Sequence, residues 1–287
     1  MPAHRYRVVD VFTLHPLEGN PLAVFPDGSA LGEATMQAIA KELNLSETVF
    51  LLPPTRPDCS ARVRIFTPAI EMLFAGHPTV GASYVLLDEG MVPRDSLSFT
   101  LEEKIGPVPI RVDSGDRPLI WLTTPAIKDG AVYDRNTCAR ALGLALEDLL
   151  DIPPQLLSAG NPNIYIALKN KTAVDRAWLD SAGMAQLNPK PSEPVCVFVF
   201  APTAEGAYSR MFAPDHGVAE DPATGSATGP LAHYMQRHGL TSQTRFVSEQ
   251  GTKMGRRSLL HIHMRADGRI DVGGYVTPLV EATMSLP

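Results

Sequence analysis

Apolar residues along this chain fall in short runs that stop at Gly, Pro, Asn or Asp, the pattern of strands rather than of long helices. Thirteen such runs predict strands over residues 6–12, 22–25, 48–52, 61–66, 98–101, 108–112, 119–122, 164–168, 195–200, 207–212, 245–248, 259–264 and 269–272. Helical spacing is rarer. Leu31, Ala34, Ala38, Ile39 and Leu43, with Ser29 ahead, predict an amphipathic helix closing near Asn44. Residues 136–150 read as a second one, stopped by Pro153-Pro154. Two further helices lack a polar face: residues 79–87 carry no charge after His77-Pro78, and the stretch from Asp221-Pro222 to Met235 has no ionisable side chain except His233. In both, the proline fits the first helical position, and Pro230 is expected to kink or end the second helix. Helices that are apolar or small on every side are buried helices. Each half is therefore predicted to wrap strands around one central helix, a barrel-like α+β architecture.

The pattern also repeats. Gly19-Asn20-Pro21 recurs as Gly160-Asn161-Pro162, Arg64-x-Phe66-x-Pro68 as Arg210-x-Phe212-x-Pro214, and His77-Pro78-Thr79-Val80-Gly81-Ala82 is echoed by Asp221-Pro222-Ala223-Thr224-Gly225-Ser226. The offsets are 160−19 = 141, 210−64 = 146 and 221−77 = 144, close to half of the 287 residues. A unit of that length is far beyond a solenoid repeat and predicts two pseudo-symmetric domains. The stretch from Pro125 to Gly130 is the best boundary, giving 1–124 and 125–278. The third echo sets His77 against Asp221, so the frame is kept while the chemistry changes.

Composition narrows the function classes. At 44% hydrophobic and 20% charged the chain reads as soluble and globular, and with net charge −6 and no Lys/Arg block neither nucleic acid nor an anionic membrane is an expected partner. No apolar run approaches the roughly 18 residues of a spanning helix, and the N-terminus lacks the apolar core of a signal sequence. A cytoplasmic location is the expectation. Cys59, Cys138 and Cys196 are odd in number and lack metal-ligand spacing, and His261-x-His263 has no third ligand nearby, so no metal is expected. Neither a Gly-x-Gly-x-x-Gly nor a Walker loop supports a nucleotide cofactor.

The starts of the two uncharged helices are the strongest candidates for chemistry. Their first N–H groups have no intrahelical partner and favour an anion, and Gly76, Gly81, Ala82, Gly225, Ser226 and Ala227 are small enough for one to approach. A substrate carboxylate is the natural guest; the plainer alternative makes Asp221 an N-cap and the glycines packing devices. His77 suits proton transfer or carbonyl polarisation near neutral pH. Glu47, at the mouth of an apolar strand, is a carboxyl whose desolvation would suit it to acid–base work, and Glu71 and Glu193 are lesser candidates of the same kind. Ser226, His77 and Asp221 also admit a serine-hydrolase reading, weakened because Thr224-Gly225-Ser226-Ala227 is not a nucleophile elbow.

These residues carry a resemblance. Val9-Asp10-Val11-Phe12 with Gly19-Asn20-Pro21-Leu22-Ala23-Val24, Leu45-Ser46-Glu47-Thr48-Val49-Phe50, Glu71-Met72-Leu73-Phe74-Ala75-Gly76-His77-Pro78-Thr79 and Glu220-Asp221-Pro222-Ala223-Thr224-Gly225-Ser226-Ala227 resemble the phenazine-biosynthesis isomerase-like (PhzF-like) family, as do Gln250-Gly251 and Gly273-Gly274. The resemblance spans nearly the whole chain. It implies a diaminopimelate-epimerase-like fold of two barrel-like domains, each a mainly antiparallel sheet around a central helix, with 279–287 as a candidate completion of the first and the active site in the interdomain cleft. It further implies a homodimer working without metal, flavin or pyridoxal phosphate. By resemblance Glu47 is the acid–base residue, His77 and Asp221 complete the catalytic set, and Gly76, Gly225, Ser226, Ala227 and Asn20 bind substrate. The related epimerases use two cysteines at the helix starts, places that His77 and Asp221 look to hold here. The expected activity is a cofactor-independent isomerase moving a proton on a small carboxylate-bearing metabolite; a non-catalytic binding protein and a serine hydrolase are the alternatives.

Overall fold

The computed structural model describes residues 2–189 and 194–286. The chain divides into two compact units, residues 1–123 with 273–287, and residues 124–272. The first unit runs β1 (Ala3–Val11), β2 (Asn20–Phe25), α1 (Glu33–Leu43), β3 (Glu47–Leu52), β4 (Ala61–Phe66), β5 (Glu71–Met72), α2 (Gly76–Asp88), β6 (Ser98–Glu103), β7 (Gly106–Asp113) and β8 (Leu119–Thr123). The second runs β9 (Lys128–Val132), α3 (Arg135–Ala141), β10 (Gln155–Ser158), β11 (Pro162–Ala167), α4 (Lys171–Arg176), α5 (Ser181–Leu187), β12 (Cys196–Thr203), β13 (Gly206–Ala213), β14 (Val218–Asp221), α6 (Gly225–Arg237), β15 (Arg245–Gln250) and β16 (Ser258–Met264). β17 (Ile270–Gly274) leads into β18 (Val276–Ser285), which pairs antiparallel along β1 from Ala3↔Ser285 to Val11↔Val276.

One pairing scheme occurs in both units. In the first, β1–β2 is antiparallel, β2–β3 parallel, β3–β4 and β4–β5 antiparallel, β4–β6 parallel and β6–β7 antiparallel. In the second, β10–β11, β11–β12, β12–β13, β13–β14, β13–β15 and β15–β16 repeat that series of directions in the same order. Each parallel pair needs a crossover. α1 supplies it between β2 and β3, while α4 and α5 supply it between β11 and β12.

The helix between the fifth and sixth strands of each scheme is the buried one. Eleven of the thirteen α2 residues are buried, and the helix packs on β1, β2, β3, β4, β8 and β18. Ten of thirteen are buried in α6, which packs on β10, β11 and β16. Close approach explains the small residues: a Cβ on Gly81 would lie 2.5 Å from Leu22 Cδ2, and one on Gly229 2.3 Å from Thr124 Oγ1. The other sheet faces carry ordinary amphipathic helices. Met36, Ile39 and Ala40 of α1 cover Phe25, Phe50 and Phe66. Along β12, Val197, Val199 and Ala201 belong to the core shared with α3, α4 and α5, whereas Phe198 and Phe200 belong to the core around α6. A strand buried on both faces reads as an unbroken apolar run, and 196–201 is one.

All thirteen predicted strands are present. Several local expectations need correction. The helix expected over 136–150 spans only Arg135–Ala141, because Gly143 turns left-handed (φ 64°) and a separate 3₁₀ turn follows at Leu146–Asp148. Ser29 does not cap α1, whose N-cap is Gly32; the expected close at Asn44 is correct, with that residue left-handed at φ 51°. α6 begins at Gly225 rather than Pro222, its N-cap is Thr224 rather than Asp221, and the helix continues through Pro230 to Arg237. β9 begins within the stretch chosen as a boundary, and the two compact units divide just before that stretch, between Thr123 and Thr124. Among the described residues no helix is long and apolar enough to cross a membrane.

Candidate active site

In the first unit three of the expected site residues meet. Gly19 (φ 67°) makes the tight turn into β2, where a Cβ would strike Val11 O at 2.4 Å, and so delivers Asn20 to the first strand position. Glu47 opens the parallel neighbour β3, in register with Leu22. His77 is the second residue of α2. The buried Asn20 Nδ2 lies 3.2 Å from His77 Nδ1, and His77 Nε2 lies 3.4 Å from Glu47 Oε2. An amide nitrogen can only donate, so Nδ1 must present a lone pair and the ring proton sits on Nε2, which is buried and makes no hydrogen bond to Glu47. Burial agrees, pushing the imidazole down to about 3. An ionised Glu47 pulls the other way, but the donor on Nδ1 and the 4% exposure of the ring favour the neutral form. His77 is thus a neutral imidazole at pH 7 with an Nε2–H available to donate, not an imidazolium.

The second unit repeats the geometry with other side chains. Gly160 (φ 113°) turns into Asn161, whose Nδ2 donates to Ser226 Oγ at 3.4 Å, and Ser226 is the second residue of α6. The counterpart of His77 is therefore Ser226, at an offset of 226−77 = 149. Ion pairs fix the same register: Arg64 Nε donates to Glu71 at 2.6 Å, and Arg210 donates to Glu220 at 2.9 and 2.8 Å. That aligns Glu71-Met72 with Glu220-Asp221, so the counterpart of Asp221 is Met72. The echo between His77 and Asp221 is corrected accordingly. Three extra residues cause the slip: residues 67–70 separate Phe66 from Glu71, whereas 213–219, with a 3₁₀ turn at Pro214–His216, separate Phe212 from Glu220.

Asp221 ends β14 and does not cap α6 directly. Its Oδ2 accepts from Thr224 Oγ1 at 2.5 Å, and the loop is held by Gln250, whose Nε2 donates to Asp221 O (2.8 Å) and Thr224 Oγ1 (3.0 Å) while its Oε1 accepts from Thr224 N (3.2 Å). Gly251 (φ 74°) lets the Pro222 backbone lie against it, since a Cβ there would be 2.5 Å from Pro222 O. Gly225, Ser226 and Ala227 form the buried first turn of α6, as Gly76 and His77 do in α2.

The lesser candidates fall away from this chemistry. Glu71 is bound to Arg64 and to Lys104 at 3.1 Å, and the Arg64 hydrogen bond holds its carboxyl below the usual range. Glu193 lies outside the described residues. The three cysteines are buried thiols outside any disulfide, and burial pushes Cys138 up to about 12, far from nucleophilic. His261 and His263 share a face of β16, but among the described residues no three His, Cys, Asp or Glu side chains group as metal ligands. Sequence reasoning named Gln250 only as part of the resemblance, without a role, and missed the buried Glu103, which lies 2.5 Å from Thr79 of α2.

A repeated strand scheme around buried helices, with polar side chains at each helix start, is the frame of an epimerase-type isomerase. Residues 9–282 match the phenazine biosynthesis-like protein family, and the chain belongs to that family. It is 35% identical over 304 residues to an uncharacterized isomerase of Mesorhizobium japonicum, covering 99% of each chain. It is 35% identical over 268 residues to the trans-2,3-dihydro-3-hydroxyanthranilate isomerase of Pseudomonas aeruginosa, covering 92% of this chain and 91% of that one. A solved structure described as a predicted epimerase from Pseudomonas aeruginosa superposes with a TM-score of 0.85 at 34% identity, over 99% of this chain and 100% of the other. These relationships make the chain an enzyme of the isomerase class and set aside the non-catalytic alternative.

Proposed function

We propose that the enzyme is a cofactor-independent isomerase that relocates a proton on a small carboxylate-bearing metabolite, with Glu47 as the acid–base residue. The observation that carries this reading is the line Asn20–His77–Glu47, buried at its first two members and part-exposed at Glu47. It leaves a neutral imidazole whose Nε2 lies 3.4 Å from a Glu47 oxygen but makes no hydrogen bond to it. Glu47 is therefore not locked in an ion pair with His77 and can take a proton from carbon and return it elsewhere on the same substrate, while the imidazole N–H stands ready as a donor. That N–H can support negative charge that develops on a substrate oxygen as the carbon proton leaves.

In this reading a helix start binds the substrate carboxylate: α6 offers the backbone N–H groups of Gly225 and Ser226 and the Ser226 hydroxyl, the Ala227 N–H being taken by Thr224 O at 3.1 Å, and Gly76 is the corresponding position of α2. Asp221, braced by Thr224 and Gln250, assists by orienting a donor group of the substrate. Ser226 accepts from an amide, Asn161, which cannot serve as a general base; that favours anion binding over hydrolysis. A positioned acid–base group contributes on the order of 10²–10⁴ in rate. The test uses trans-2,3-dihydro-3-hydroxyanthranilate, the substrate named for the Pseudomonas relatives, and a panel of other small unsaturated carboxylates in D₂O. Turnover or deuterium incorporation should appear with the wild type and fall by about 10²–10⁴ in Glu47→Gln. Full turnover in that variant refutes the assignment.

A further inference from the structure

Glu103 is the least expected side chain of the first unit. It closes β6, is 4% exposed, and forms no ion pair with Lys or Arg among the described residues. Thr79, fully buried in the first turns of α2, has its Oγ1 2.7 Å from Ala75 O and 2.5 Å from Glu103 Oε1. A hydroxyl has one proton to give, and a backbone carbonyl can only accept. If Thr79 donates to Ala75, the proton between Thr79 and Glu103 must belong to Glu103. The other oxygen, Oε2, is buried without a hydrogen-bond partner, tolerable for the carbonyl of a neutral acid and costly for a carboxylate.

The duplication supplies an independent argument. β6 and β15 are equivalent strands, joined parallel to β4 and β13 by Arg62↔Glu102 and Tyr208↔Glu249. Glu103 therefore occupies the place of Gln250. Gln250 is a permanently neutral donor and acceptor that ties down the turn leading into α6. In α2 the N-cap is Ala75, which has no hydroxyl, and the contact passes to Thr79 instead.

We infer that Glu103 acts as a neutral carboxylic acid, the first unit's equivalent of Gln250, and is a positioning residue that holds the opening turn of α2 bearing Gly76 and His77. Donation runs from Glu103 to Thr79 to Ala75. Ionisation reverses it: Thr79 turns its proton to the new carboxylate, and the Ala75 carbonyl keeps only the bond from Thr79 N at 3.2 Å. The charged groups around Glu103 are Arg62 and Arg64 from β4, Glu71 from β5, Glu33 from α1, and its neighbours Glu102 and Lys104, which together line a recess over it. Arg64 is committed to Glu71 and Glu33, and Lys104 to Glu71. Burial, opposed only by the Thr79 hydrogen bond, accordingly pushes the Glu103 carboxyl up to about 8.

The functional weight of this turn rests on the site proposed above, but the clamp does not, and two readouts separate them. Infrared spectroscopy of the intact enzyme should show a protonated-carboxyl band at pH 6 that is absent from Glu103→Gln and disappears from the wild type with a midpoint near 8. Amide-exchange protection of Gly76, His77, Thr79 and Val80, measured at each pH against Glu103→Gln, should fall about tenfold in the wild type by pH 9 as the acid form is depleted. Glu103→Gln should keep protection and turnover throughout, and Glu103→Ala should lose protection at every pH. A wild type without the band at pH 6, or a Gln variant as poorly protected as Ala, overturns the inference. Protection preserved in Glu103→Gln with no turnover of any substrate by either protein counts against the function assigned to the site and leaves the clamp supported.

Discussion

Replacing Asn20 by Asp should convert His77 from a neutral donor into one member of a charged pair. In the wild type the Asn20 amide donates to Nδ1 at 3.2 Å and burial holds the ring near 3, so no proton joins it in the physiological range. An aspartate at the same place accepts instead, and Nδ1 gains from carrying a proton. Two unit charges at that separation attract by about 5 kcal/mol at an effective dielectric constant of about 20. At 1.36 kcal/mol per pH unit, this raises the midpoint by about 4, from about 3 to about 7. Both groups are buried, so the midpoint belongs to the Asp–His pair jointly. The assay is NMR of enzyme labelled at histidine, with the His77 signals assigned by their loss in His77→Asn. Wild-type His77 should hold constant shifts from pH 5 to 9, while the Asn20→Asp ring titrates near 7. A protonated ring beside Glu47 also stabilises the Glu47 carboxylate and weakens its acid form, so turnover should fall by at least about tenfold. Wild-type His77 titrating near 6.5, or an unchanged ring in the variant, would refute the tautomer assignment and with it the donor role.

Three further outcomes follow from other parts of the structure. Glu103 has a folded midpoint raised from 4.5 to about 8, so its contribution is full below 4.5 and lost as pH rises through 8; relative to Glu103→Gln, the wild type should lose up to about 5 kcal/mol of unfolding free energy across that window, read by urea titration at each pH. Arg210, 4% exposed, joins Glu220 to the carbonyls of Val174, Asp175 and Ala177, and Arg210→Met should cost about 3–5 kcal/mol by leaving Glu220 without its cation; a loss under about 1 kcal/mol counts against that account. Gly251→Ala places a Cβ 2.4 Å from Arg256 O and 2.5 Å from Pro222 O at a left-handed position, and should lower stability by about 1–3 kcal/mol and displace Asp221 enough to reduce turnover, measured by unfolding and by initial rates.

The strands were legible where local chemistry made them. Alternation and Gly/Pro punctuation mark thirteen of them, including the doubly buried run of β12. The five that escaped have no local signature. β5 is two residues long, β9 is exposed along its whole length and begins Lys-Asp-Gly, and β18 carries Pro278 and is mostly exposed. β18 forms because β1 offers it a partner more than 260 residues away, as Thr277 bonding to Thr13 O illustrates. β10 and β14 are short segments fixed by their neighbours in the same way. The site was legible as residue types but not as a register. A fixed offset could not reveal the longer connection between Phe212 and Glu220, which only the pairing of Arg64 with Glu71 and of Arg210 with Glu220 exposes. Glu103 was hidden by its neighbours, because Glu102-Glu103-Lys104 reads as a solvated strand end. Period-two alternation held the clue: Glu103 shares a face with Leu101, which is fully buried.

With the register corrected, the duplication separates frame from chemistry. The glycine with positive φ before each asparagine, the Arg–Glu pair on the fourth and fifth strands, and the threonine hydroxyl returned to the N-cap carbonyl (Thr79 to Ala75, Thr228 to Thr224) occur in both units. These fix each helix start against its sheet and are needed whatever the reaction. The positions that differ adjoin that frame: His77 against Ser226, Met72 against Asp221, Glu103 against Gln250. A symmetric two-base reaction would favour like groups at like places. Here one helix start carries a neutral imidazole beside a glutamate, and the other carries a hydroxyl beside a braced aspartate. Under the proposed function, the first arrangement suits proton transfer and the second suits holding an anion. Glu103 fits the same logic, because a carboxyl kept neutral preserves in this unit the clamp that Gln250 provides in the other.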